Sequence, residues 1–238
     1  MQKLPILSAA AGWHVLCDFD HTITAQDVTD GLLARFADPA WERLEAAWQE
    51  GRINARTCTS AQVALMDATT AQIDAYVDSV EVDCSFAAFV AFCDSVGVGI
   101  EVVSDGLDYG VRRILNRHGV GHLPVTANRL EFQPGGRCAV RFGHPGADCR
   151  AGQGVCKCAV AGQLSPGTRR LLIGDGHSDC CLAGQVDLVF ARDRLLAHCQ
   201  QNAIPHLPIS DFTQALAALR ALLAADHPVT PHLERDLA

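Results

Sequence analysis

The chain alternates between short apolar runs and longer stretches in which apolar residues recur at helical spacing. The run Trp13-His14-Val15-Leu16-Cys17 stops at Asp18-Phe19-Asp20, and a short apolar run bounded by polar residues reads as a buried strand. Similar runs cover 98–103, ending at Ser104-Asp105-Gly106; 122–127; 170–173, ending at Gly174-Asp175-Gly176; and 186–190 as the last strand. Residues 25–92 carry helical periodicity and no strand pattern. Within them, Pro39 suits a first helical turn and Gly51 suits a stop, with further helices over 57–66 and 70–80. Residues 108–118 read as a helix halted by Gly119, 155–163 as a short helix, 178–183 as the start of another and 212–224 as an amphipathic one. Pro134-Gly135-Gly136 between 130–132 and 138–142 signals a hairpin. A Gly- and Cys-rich loop is expected over 147–154, and a loose tail after Asp226. Strands alternating with helices predict an α/β fold with a parallel sheet. A helical insert over 25–92 after the first strand predicts a cap, with 1–24 and 93–238 forming the core.

Composition narrows this reading. The 238 residues suit one domain with an insert or two small domains, and 49% hydrophobic content supplies a core. The net charge of −8 disfavours nonspecific nucleic-acid binding, which draws its affinity from phosphate neutralisation. An anionic substrate then needs local positive charge. The 11 cysteines include Cys17, Cys84, Cys93 and Cys199 inside apolar runs, where a thiol acts as a small hydrophobe. This points to a reducing cytoplasm. The apolar stretch 4–11 is short and scarcely charged for a signal peptide, and no stretch is long enough to span a membrane. No nucleic-acid and no membrane partner is expected, and the expected state is monomer or homodimer.

The polar ends of the apolar runs carry the chemistry. In an extended chain residues i and i+2 point the same way, so Asp18 and Asp20 can converge at a strand's C-terminal end, where ligands bind in open α/β sheets. Close carboxylates repel, and a divalent cation relieves them; hard oxygen ligands favour Mg²⁺. One Asp then becomes a candidate nucleophile and the other a candidate general acid/base. Ser104 with the following N–H groups can hold phosphate oxygens or cap a helix. Lys157, after the Gly-rich loop, can offset phosphoryl charge, although a lone lysine is usually a surface residue. Asp175 and Asp179 can complete a metal site, one directly and one through water, or simply favour a helix N-terminus.

Taken in order, Asp-x-Asp-x-Thr at Asp18, then Ser104, Lys157 and Gly-Asp-Gly-x-x-Asp at Gly174 resemble the haloacid dehalogenase-like phosphatases, in particular the phosphoserine phosphatase-like branch with its helical cap. The strings at 17–24, 102–109, 127–132, 156–158 and 187–193 are similar to the methylthiopentenyl-phosphate phosphatase-like subgroup of methionine salvage. The resemblance implies a doubly wound α/β core, a small-molecule phosphomonoester as the partner and a set of roles. Asp18 attacks phosphorus and forms an aspartyl phosphate. Asp20 protonates the leaving oxygen and then activates water. Thr22 and Ser104, with Asp105 and Gly106 beside them, bind phosphate, and Lys157 stabilises nucleophile and phosphoryl group. Mg²⁺ is held by Asp18, the Asp20 carbonyl and Asp175, with Asp179 supporting it indirectly. Two positions depart from the pattern: His21 stands where Gly is usual, and Asp105 where Ser-Gly-Gly is common.

The remaining candidates lie outside these motifs. Cys149, Cys156 and Cys158 with His144 offer a zinc or redox-sensitive alternative, although Cys-x-Cys is one residue short of the usual zinc spacing. In the cap, Arg52, Arg56, Trp41, Trp48 and Met66 are candidates to face the substrate, Arg56 first among them. Each also fits a core or solvated position at helical spacing. His177 reads equally as a surface residue or a group at the site mouth. Besides hydrolysis, a phosphotransferase or mutase, a noncatalytic regulator, and a zinc- or redox-sensing module remain open.

Overall fold

A computed structural model of the protein describes residues 12–144, 149 and 152–226. The apolar stretch 4–11, part of the 147–154 loop and the tail after Asp226 lie outside the described residues. Strand β1 (Trp13–Cys17) lies in the middle of a seven-stranded sheet of order β4-β3-β2-β1-β5-β6-β7. Its neighbours are β2 (Gly99–Leu107) and β5 (Arg169–Gly174), both parallel to it. Beyond β2 come β3 (Val125–Phe132) and antiparallel β4 (Cys138–Arg141); beyond β5 come β6 (Leu188–Ala191) and β7 (His206–Pro208). Central strands of parallel sheets are covered on both faces, which is why their sequences run almost continuously apolar.

The pleat of β1 divides its side chains between two cores. Val15 and Cys17 join the one that includes Val102, Leu171 and Ile173; Leu16 joins the other, with Val103, Leu172 and Val189. The first face is covered by α5 (Phe86–Val96), α6 (Asp108–Arg117) and α10 (Phe212–Asp226), the second by α7 (Lys157–Ala161), α8 (Cys180–Ala183) and α9 (Asp193–Gln201). Phe212 packs its ring edge-on to Phe86 at 4.8 Å and beside Phe89 at 5.3 Å, which fastens α10 to α5.

Between β1 and α5 the chain forms α1 (Val28–Phe36), α2 (Trp41–Gln49), α3 (Ala55–Ala64) and α4 (Thr70–Val77). Their starts are locally encoded. Asp27 and Asn54 accept from the N–H groups of Asp30 and Thr57, and Thr69 with Gln72 forms a capping box. Gly51, with φ +72°, lies in the turn after α2. The two connections to the sheet run side by side: the Ala25 N–H donates to Glu81 O, and the Asp83 N–H donates to Ile23 O. On the far side, the Ala68 N–H donates to Gly136 O in the β3–β4 turn. Met66 is buried in the core, and Trp41 packs against it.

Several expected boundaries move, each for a tertiary reason. The strand expected over 122–127 and the segment 130–132 are one strand, β3; it starts later because Pro124 offers only its carbonyl, which accepts from the Val102 N–H. The helix expected over 155–163 shortens to Lys157–Ala161, since Val155 is occupied by a bridge to His144. The second strand runs past 103, through a register shift between Val103 and Leu107 that carries Ser104-Asp105-Gly106. The stretch 186–190 is followed by β7, a three-residue edge strand whose exposed Leu207 gives little apolar signal. Among the described residues no helix is long and apolar enough to cross a membrane.

Phe212→Ala removes a fully buried ring and is expected to lower stability by about 3–5 kcal/mol, read from the denaturant unfolding midpoint. Arg113 of α6 forms two 2.8 Å hydrogen bonds with Asp78 at the end of α4. These bonds, with Coulomb attraction to Arg113 and Arg117 added, hold the Asp78 carboxyl below its usual range. Such a contribution is complete above the unfolded carboxyl's pKa of about 4 and disappears as pH falls through the folded value. The stability gap between wild type and Arg113→Met should therefore be constant near neutrality and close below about pH 4 in thermal melts.

Candidate active site

The strand order reverses at β1, since the chain builds β2 and β3 on one side before crossing to β5 on the other. This is the switch point where α/β sheets open a crevice at their carboxyl edge. The ends of β1 and β5 deliver Asp18 and Asp175 to that edge, the register shift within β2 delivers Ser104, and the Asp18 N–H donates to Ile173 O at 2.9 Å, fixing it beside β5. A cavity of about 300 Å³ opens there, lined by Asp18, Asp20, Asp105, Gly106 and Asp175 from below, with residues of α1, α2 and α3 above.

Lys157 is the centre of this arrangement. It is only 4% exposed, and its Nζ lies 2.7 Å from Asp18 Oδ1 and 2.6 Å from Asp179 Oδ1. Burial alone would push its pKa down, yet the two carboxylates raise it well above the usual range, so it stays charged. Burial, then repulsion from Asp18, lifts Asp179 to about 6. Gly174 makes this packing possible, because a Cβ there would lie 2.4 Å from Asp179 Oδ2.

Asp20 stands in a different setting from Asp18. Its carboxylate accepts from the Val28 N–H at 2.8 Å and from Ser104 Oγ at 3.3 Å, and burial, followed by repulsion from Asp27, drives its pKa well above the usual range. Burial raises Asp18 as well, but there the Lys157 ammonium opposes it, whereas the donors that hold Asp20 are neutral; the two carboxylates differ in the way a nucleophile and an acid need to. Gly106 lies against Asp20, since a Cβ there would come within 2.7 Å of Asp20 Oδ2.

Asp18, Asp175 and Asp179 present carboxylate oxygens within 4.8 Å of one another, the one group of this kind that could hold a metal among the described residues. Three hard oxygen donors near one lysine leave a surplus of negative charge that a divalent cation fits. The Asp20 carboxylate is outside this trio. Thr22 Oγ1 donates to Asp175 Oδ1 at 3.1 Å, so here it steadies an acid and does not stand free for phosphate.

Other sequence candidates take different places. The Asp105 side chain leaves the phosphate edge: Oδ1 accepts from the Val155 N–H at 2.9 Å and from Asn128 Nδ2 at 3.1 Å, which ties β2 to the segment leading into Lys157. Arg56 does not reach the cavity; it lines a separate surface depression with Thr57, Ser60 and Phe142. Trp48 and His177 do line the cavity, and Arg52 lies on an adjoining one. His21 lines it too, in the left-handed region at φ 55°, where glycine is the residue without penalty. All eleven cysteines are unbridged. Cys149, Cys156, Cys158 and His144 do not gather into a metal-holding group among the described residues. Burial, then the neighbouring cysteines, pushes the Cys158 thiol up to about 11, which keeps it protonated and a poor ligand. Sequence reasoning missed Gln153, in the loop before Lys157, and Arg194, in the first turn of α9, which both line the cavity, as do Asp27, Asp30 and Glu45 of the helical insert.

The model of the haloacid dehalogenase-like hydrolases matches residues 15–184, spanning all four motifs. The chain belongs to that family. Among haloacid dehalogenase-like relatives, a protein from Exiguobacterium sp. named 2-hydroxy-3-keto-5-methylthiopentenyl-1-phosphate phosphatase is 30% identical over 88% of this chain and 98% of its own. One of the same name from Geobacillus kaustophilus is 30% identical over 87% and 96%. The fold is similar to that of phosphoserine phosphatase captured as a phospho-aspartyl intermediate analogue, with a TM-score of 0.62 and 19% identity over 86% of this chain and 97% of that one. A probable phosphoserine phosphatase from Vibrio cholerae gives a TM-score of 0.67 at 15% identity, over 92% and 68%.

Replacing Lys157 by Met leaves two buried carboxylates without their shared cation. It is expected to lower stability by about 3–5 kcal/mol in chemical denaturation, and added magnesium should restore part of the loss.

Proposed function

We propose that the chain is a magnesium-dependent phosphomonoesterase that hydrolyses a small metabolite phosphate through an aspartyl phosphate on Asp18. The observation that carries this reading is the pairing at the end of β1: a buried, lysine-paired Asp18 next to an Asp20 that neutral donors hold and burial pushes up.

In the first half-reaction an Asp18 oxygen attacks phosphorus and the ester P–O bond breaks. Asp20 gives its proton to the departing oxygen. In the second, Asp20 takes a proton from water, the water oxygen attacks phosphorus, and the bond to Asp18 breaks to release inorganic phosphate. Lys157 keeps Asp18 ionised and oriented before attack and offsets phosphoryl charge during it. The Ser104 hydroxyl, held in place by the Gly106 N–H at 2.9 Å and donating to Asp20, is the group at the end of the β2 apolar run that is positioned to meet a phosphate oxygen. Asp18, Asp175 and Asp179 would hold magnesium, which when bound supplies charge neutralisation for the transferring group. Helices α1 to α4 act as the cap and exclude water during transfer, while α5, which begins inside the segment 25–92, packs on the sheet and belongs to the core.

The relatives' shared name makes 2-hydroxy-3-keto-5-methylthiopentenyl-1-phosphate the first substrate to try, and phosphoserine the second. With magnesium, wild type should release phosphate from at least one member of a panel of phosphorylated metabolites, and chelation should abolish this. Asp18→Asn should lower kcat by roughly three orders of magnitude or more, measured by phosphate release. Wild-type activity in the mutant would remove Asp18 as nucleophile.

A further inference from the structure

The cavity at Asp18 continues outward. A second cavity, of about 690 Å³, adjoins it at the seam between the helical insert and the sheet, and the two share Trp48, Gln153, His177 and Arg194. The outer wall is otherwise built from the turn between α2 and α3.

Charge changes sign along this path. The inner cavity is faced by Asp18, Asp20, Asp27, Asp30, Glu45 and Asp175, whereas the lining of the outer one contains two arginines and no acid. Arg52 is held by Glu50 at 2.6 Å. Arg194 has no ion-pair partner among the described residues. Its side chain is exposed, but its backbone is anchored, because the N–H of the next residue, Leu195, donates to Asp175 O at 2.7 Å and locks the first turn of α9 to the acidic loop. Gln153 gives an independent sign of a ligand. It is 8% exposed, lines both cavities, and its side-chain amide makes no hydrogen bond with any described residue. Its stem is buried while the unpartnered amide stays open, and such an amide is left for a bound group or solvent.

We propose that the outer cavity is a binding site for the far end of the leaving group and selects an oxyanion there, a carboxylate or a second phosphate. Arg194 and the Gln153 amide hold the oxyanion, and Trp48 packs along the linking chain. The inner acids repel a second anion placed among them, so a doubly anionic ester extends past the neck to reach the guanidinium. This inference rests on the reading of Asp18 as phosphoryl acceptor and adds a substrate class to it, one that phosphoserine fits and that the uncharged methylthio end of the relatives' substrate does not.

The test uses the full chain with magnesium and four esters of one length: butyl phosphate, and the same ester bearing a terminal carboxylate, a terminal phosphate or a terminal amine. One or both anionic esters should exceed butyl phosphate in kcat/KM by about tenfold or more, mainly through KM. The amine should fall below it. In Arg194→Gln, and separately in Gln153→Leu, the ratio of anionic to neutral ester should fall towards one. A second arm needs no turnover: tryptophan emission is titrated with propyl phosphonate and its terminal-carboxylate analogue, with Trp48→Phe assigning the signal. Tighter binding of the carboxylate analogue, lost in Arg194→Gln, supports the site even if every ester proves inert, an outcome that would count against the phosphatase reading alone. Preference for the amine, equal binding of the two phosphonates, or a ratio unchanged in both variants overturns the proposal.

Discussion

One buried ammonium between two buried carboxylates organises this protein. Charges removed from water are tolerated only when their partners are in place, and here Lys157 is shared by Asp18 from β1 and Asp179 from the loop after β5. The contact joins three remote parts of the chain at the carboxyl edge of the sheet. It explains why Gly174 has no side chain, and why the segment before Lys157 is pinned by Asp105 and Asn128. Disturbing any of these moves the cation that keeps Asp18 ionised.

The sheet supplies the rigidity this contact requires. β1 is flanked on both sides by parallel strands and covered on both faces by apolar side chains, so the position of Asp18 is fixed by backbone pairing with β5 and by packing above and below. The bulge in β2 does a complementary job: it turns Ser104 toward Asp20 while turning Asp105 toward the Lys157 segment. Neighbouring residues of one strand thereby serve two sides of the site.

The same geometry separates two electrostatic environments. The inner cavity concentrates acids, which suits a cation and, together with burial, pushes the Asp20 carboxyl up. The lining toward solvent exchanges acids for arginine and amide groups. Phosphoryl chemistry needs the first environment, and discrimination among leaving groups draws on the second, because groups away from the reacting atoms can bind without altering the attack itself.

The sequence by itself determined the features governed by local periodicity. The apolar run before Asp18, the two-residue spacing to Asp20, the helical insert, the Gly-Asp-Gly turn and the order of the four motifs all follow from the geometry of strands, helices and tight turns. Tertiary structure alone decided which of those residues meet and what each one faces. Asp105 turns to the Val155 N–H, Thr22 to Asp175, Arg56 to a separate depression, and Arg194 and Gln153 to the cavity, although nothing in their local sequence marks these partners. The physical reason is range. Periodicity fixes the direction of a side chain relative to its own backbone, whereas a partner more than a hundred residues away is chosen by how the sheet closes and which polar groups burial leaves unsatisfied.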